Sequence, residues 1–171
     1  MVMGSDRVDE TIILAGRARM FVDTYDGSDY FKDLTLFLRG LLKVRGVLIA
    51  RIPEGDQPVL VSEAFCFDGR VFDMFHVSLD EAIFNNTLKK SFFHSNEVAG
   101  LFNDLEMLNG LNANSFLGAT LYHGKEASGL VAVIDDKPLE NRDAVELVLS
   151  ALITRTSREV AKIRDTVSNQ R

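Results

Sequence analysis

SFLGATLYHGKEASGLVAVIDDKP, residues 115–138, decides the fold. Residues 115–122 are one apolar run that carries the small residues Gly118 and Ala119. Residues 123–127 are polar and include Gly124. Residues 128–134 form a second, nearly unbroken apolar run, which Asp135-Asp136-Lys137-Pro138 stops. Two such runs rich in Val, Leu, Ile and Phe, either side of a glycine-containing polar loop, predict a β-hairpin buried on at least one face.

A helix follows the hairpin. Asn141 is a capping residue, and Val145, Leu149, Leu152, Thr156, Val160, Ile163 and Val167 recur at steps of three and four. The first half of this stripe should pack on the sheet. From about Ser157 the stripe is narrow and its flanks are charged, the pattern of a two-helix seam.

Working back from the hairpin, residues 29–44 predict a helix with Phe31, Leu34, Phe37, Leu38, Leu41 and Leu42 on one face. Ser28 or Asp29 caps its start, and Gly46 is expected to supply the left-handed residue past its end. Residues 47–52 and 58–67 read as a second antiparallel hairpin, and 71–77 as a further strand. Ser78-Leu79-Asp80-Glu81 fits a capping box, so a short helix should run to Lys89-Lys90. Residues 91–95 are briefly extended, 105–108 make one helical turn, and Asn109-Gly110 is a turn. Residues 6–23 carry a thin stripe of Val8, Ile12, Ala15, Ala18 or Arg19, and Val22, which suits a surface or paired helix. Hairpin-linked strands with helices at both ends argue an α+β fold, the helices gathered on one face of an antiparallel sheet.

With 171 residues, 46% of them apolar, the chain can bury one core without disulfides or metal. The net charge of −6, with no basic stripe, weighs against nucleic-acid binding. No run of about 18 apolar residues predicts a membrane span. The N-terminus lacks a basic segment followed by an apolar block, so no signal peptide is expected. The single cysteine, Cys66, lies in an apolar run, reads as a small buried hydrophobe, and agrees with a cytoplasmic setting.

The C-terminal third resembles a GAF domain of bacterial signalling proteins. The matching residues are Leu101-Phe102-Asn103-Asp104, Ser115-Phe116-Leu117-Gly118, Gly129-Leu130-Val131-Ala132-Val133-Ile134-Asp135 with Pro138-Leu139, and the helix around Ala151–Val160. Asn103 stands where the family usually has Pro, and Val77-Ser78-Leu79-Asp80 where Thr-Pro-Cys is common. The resemblance covers about residues 29–164. It implies a GAF/PAS-like antiparallel sheet of about six strands, with the N- and C-terminal helices on one face. A lid with a short helix, about residues 71–114, would cover a pocket on the other. Residues 1–27 would be a helical dimerisation or linker segment, 28–164 the domain, and 165–171 a tail continuing the last helix.

Such domains share one fold across many ligands and outputs, so each chemistry is tested on residue type. Bilin-binding members need a lid cysteine, and Cys66 lies outside the lid. Free methionine sulfoxide reduction needs a resolving thiol, which a single cysteine does not offer. The dispersed cyclic-nucleotide set has no counterpart. His76, His94 and His123 show no metal-ligand spacing. His94, beside Phe92 and Phe93, would contact a polar ligand or haem, though a hydrogen-bonded histidine in an apolar wall is the plainer account. No phosphate loop, nucleophile elbow or carboxylate pair stands out. The expected pocket residues are therefore Phe65, Phe75, Phe84, Phe92, His94 and Phe116, with no cofactor and no metal. The expected function is a non-enzymatic sensor, homodimeric through Leu152, Val160, Ile163 and Val167, which passes a ligand signal to an output domain or partner signalling protein. The alternative is a ligand-free dimerisation or docking module.

Overall fold

A computed structural model describes residues 3–54, 59–78, 92–95 and 115–169. In these segments the order is α1 (Met3–Thr24), α2 (Tyr30–Leu42), β1 (Gly46–Arg51), β2 (Val59–Phe67), β3 (Arg70–Phe72), β4 (His76–Ser78), β5 (Phe92–Ser95), β6 (Ser115–His123), β7 (Glu126–Asp135) and α3 (Arg142–Asn169). The strands make one antiparallel sheet in the order β3-β2-β1-β7-β6-β5, with β4 also on β2. The fold is α+β.

The hairpin is β6–β7, in register from Ser115↔Asp135 to His123↔Glu126. The other edge of β7 pairs with β1, from Gly46↔Ile134 to Arg51↔Gly129, which places the hairpin at the middle of the sheet. Both faces of β7 are buried, which is why its sequence is a continuous apolar run rather than an alternation. Val47, Ile49, Leu117, Ala119, Val131 and Val133 pack with Leu34, Leu38, Leu149 and Leu152 of the helices. The alternate residues Leu48, Ala50, Phe116, Leu130, Ala132 and Ile134 join Phe65 and Phe67 on the opposite face.

Asp29 caps α2, its carboxylate accepting from Lys32 N at 3.4 Å, and Asn141 caps α3, accepting from Ala144 N at 3.4 Å. The left-handed residue after α2 is Lys43, at φ 54°, not Gly46. Gly46 instead opens β1, where an added Cβ would overlap the Phe67 ring. The single strand expected over 71–77 divides in two. Asp68 and Gly69, both at positive φ, turn the chain back along β2 as β3. The chain then leaves the ladder and rejoins it as β4, held between by paired hydrogen bonds of Ser62 with the Phe75 backbone.

The narrow stripe of α3 does form a two-helix seam, but the partner is α1 of the same chain. Leu152 and Val160 are fully buried in the core with Ala18 and Val22. They are therefore not a free surface for a second copy, which corrects the dimer seam expected there. Ile163 is partly buried, and the Val167 side chain lies outside the described residues. The same holds for the capping-box helix, the turn at 105–108 and Asn109-Gly110.

Candidate functional site

The face of the sheet turned away from the helices is the candidate site. Phe65 and Phe116 lie in its apolar floor. Phe75 packs against them, its ring edge-on to Phe65 at 5.7 Å, with Phe72 tilted on the other side at 5.0 Å. Ser62 fixes Phe75 here: its Oγ accepts from Phe75 N at 2.9 Å.

The other expected residues do not all join this group. Phe92 pairs with Ala119 and packs with the helix-side core, so its side chain is on the wrong face; strand alternation decides this. His94 is a β5 residue in register with Leu117, and its side chain lies outside the described residues, as does Phe84. His76 and His123 are exposed. Among the described residues, no three His, Cys, Asp or Glu side chains are grouped to hold a metal.

Two hydroxyls in this face, and a third at its edge, went unnoticed in the sequence. Ser62 and Thr120 are buried opposite Ala50 and Leu130 of the floor. Ser128 is the extra residue of the bulge where the β6–β7 register shifts between Leu121 and Tyr122, next to Ala127, which packs against this face. It is fully buried, and its Oγ has no hydrogen-bond partner among the described residues. A buried hydroxyl left unbonded costs about 1–3 kcal/mol. The available sequence signal was a serine opening an otherwise apolar run.

Cys66 belongs to the helix side, its thiol 3.8 Å from the Thr35 carbonyl, and burial pushes its pKa up. It does not line the candidate face and is not activated as a nucleophile. At one end of the sheet, Arg45 forks onto Asp68 at 2.6 and 2.7 Å and reaches Asp136 at 2.6 Å. Neighbouring Asp135 is buried, which raises its carboxyl; it also accepts from the Asp136 N–H at 2.9 Å. This turn is thus part of a clamp joining the ends of β1, β2 and β7.

No protein-family model matches the chain, and no curated protein matches it by sequence. Solved structures do match in shape. The GAF domain of A. aeolicus nlh2 in an inactive state aligns with a TM-score of 0.66 at 14% identity, over 88% of this chain and 97% of that one. A phycocyanobilin-bound GAF domain from a cyanobacterial phytochrome gives 0.60 at 14%, over 89% and 94%. A free methionine-R-sulfoxide reductase from Thermoplasma acidophilum gives 0.54 at 18%, over 85% and 95%. The chain has the GAF fold. No helix among the described residues is long and apolar enough to cross a membrane.

Proposed function

We propose that this chain is a sensory, non-enzymatic GAF module of a cytoplasmic bacterial signalling protein, which takes a small molecule against the sheet face opposite the helices. The observation that carries this reading is the Ser128 hydroxyl, buried at the edge of the apolar floor and without a hydrogen-bond partner among the described residues. Such a group favours a ligand that is mostly apolar and carries one hydrogen-bonding atom. The phytochrome neighbour, which holds a bilin, supports use of the fold for ligands; the buried, helix-side Cys66 argues against a bilin thioether here.

The signal would pass through the sheet to α3. The hairpin contributes Phe116 and Ile134 to the ligand face and Leu117 and Val133 to the helix face, so repacking one side bears on the other. Ligand binding then biases the α1–α3 packing by population shift, and α3 carries the bias onward to an output domain or partner.

Native mass spectrometry of the purified protein, with a thermal-shift panel of small metabolites, tests the reading. A retained non-covalent mass, or a reproducible rise in Tm that Ser128→Ala abolishes, is expected. No added mass and no shift across the panel would leave the ligand-free docking module as the better account.

A further inference from the structure

The helix side of β7 ends on an acid that the ligand face does not use. Strand alternation puts Asp135 in the row of Val131 and Val133, which pack under the helices with Val145 and Leu149. Asp135 is only 6% exposed. Its carboxylate accepts one hydrogen bond, from the Asp136 N–H at 2.9 Å. Arg45 is spent on Asp68 and Asp136, and Asp135 has no ion-pair partner among the described residues. A buried carboxylate without a cation is costly, and burial pushes this one's pKa up.

Asp135 lines a cleft of about 290 Å³ between the end of α2 and the start of α3. Leu42, Val44 and Val145 give it an apolar wall. Its mouth is basic. Lys43 follows α2 in the left-handed conformation and Lys137 follows β7; both are exposed, and neither has an ion-pair partner among the described residues. Glu140 shares the mouth, and the two lysines outweigh it. Asn141, the cap of the 28-residue α3, lines the same cleft, so the helix dipole adds to the attraction for an anion there. The cleft is therefore polarised, with an acid at depth, bases at the mouth and an apolar wall between. A plain amine suits the acid but is repelled at the mouth, and a plain carboxylate meets the reverse. A molecule carrying both charges satisfies both ends. The volume lies at the low end of ligand pockets and suits a molecule of few carbons.

We infer that this cleft is a second binding site, for a small zwitterion: an amino acid whose ammonium pairs with Asp135 and whose carboxylate is held at the mouth by Lys43 and Lys137. The site lies across the sheet from Phe65 and Phe116 and does not depend on the ligand proposed for that face. Its occupancy would tie the end of α2 and the start of α3 to the end of β7.

Amide-resolved NMR titration with δ-aminovalerate, and with pentylamine and valerate as its two halves, tests this. With δ-aminovalerate at millimolar concentration, amides in residues 42–44 and 135–145 should shift and saturate. Each half should bind at least tenfold more weakly. Asp135→Asn keeps the acceptor for the Asp136 N–H and should weaken δ-aminovalerate at least tenfold. Lys43→Gln/Lys137→Gln, at two exposed positions, should weaken it about fivefold and leave pentylamine binding as it was or tighter. The lysine variant decides alone if Asp135→Asn does not fold. Ser128→Ala should bind δ-aminovalerate as wild type does, which separates this site from the ligand face. No saturable shift, shifts confined to the sheet face around Phe65 and Phe116, either half binding as tightly as the whole, or unchanged affinity in the charge variants would each overturn the inference.

Discussion

The Tyr30 hydroxyl lies 2.9 Å from the Thr156 hydroxyl in the buried junction of α2 and α3. Arg155 stacks over the Tyr30 ring at 5.2 Å, and its Nη1 donates to the Val22 carbonyl of α1 at 2.8 Å. Three helices thus meet at one polar contact inside an apolar layer. Tyr30→Phe strands the Thr156 hydroxyl and should cost about 1–2 kcal/mol in urea unfolding. Tyr30→Phe/Thr156→Val should cost clearly less than the sum of the two single changes. Strict additivity would mean that the hydroxyls are not coupled.

Burial drives the Tyr30 pKa up to about 12, against the opposing pull of the Thr156 hydrogen bond and the Arg155 charge. The folded state therefore holds this proton more tightly than the unfolded chain. The associated stability is complete below about pH 10 and is lost as pH rises toward 12. In an ultraviolet difference titration, Tyr30 should ionise in a late phase near pH 12, and Tyr30→Phe should remove that phase.

Glu159 accepts from Lys162 Nζ at 3.0 Å and Arg155 Nε at 2.9 Å. Burial opposes ionisation, but these two cations win and hold the carboxyl below its usual range. Its contribution is present above the ordinary glutamate value of about 4.3 and disappears as pH falls through the lower folded value. Glu159→Gln should lower Tm at pH 7 by about 3 °C. The gap should close as pH falls through the lowered folded value, and a gap that persists in strong acid would contradict the ionic origin.

Gly129 faces the β1 backbone so closely that a Cβ would overlap the Ala50 carbonyl oxygen. The obstacle is main chain, which does not rotate away. Gly129→Ala should destabilise by about 1–3 kcal/mol, and faster amide exchange at 49–51 should accompany it.

Ser128→Ala removes a buried hydroxyl that has no hydrogen-bond partner among the described residues. The ligand-free protein should be as stable as wild type, or more stable by up to about 1 kcal/mol in the same urea assay. A loss of 2 kcal/mol or more would show that the hydroxyl has a structural partner.

Some of this was legible in the chain. The hairpin was, because two apolar runs around a glycine loop have few alternatives. So was the α+β class, because hairpins and terminal helices leave the helices one face to occupy. The candidate site was half legible. Phe65, Phe75 and Phe116 pack on one face, but a phenylalanine is equally apolar on either side of a strand, and register alone sends Phe92 to the helix side. Ser128 is hidden for a related reason: only the bulge beside it determines what a lone serine in an apolar run faces.

The sequence by itself determined the elements, because periodicity, caps and turns are local. It also determined that α3 needs a helix partner, since a narrow stripe between charges must be covered. Tertiary structure alone decided which helix covers it. The hydrophobic effect has no direction, so Leu152 and Val160 accept α1 of their own chain as readily as a second copy. The intramolecular partner is tethered close by, and its outer side leaves Val8, Ile12, Ile13 and Met20 exposed.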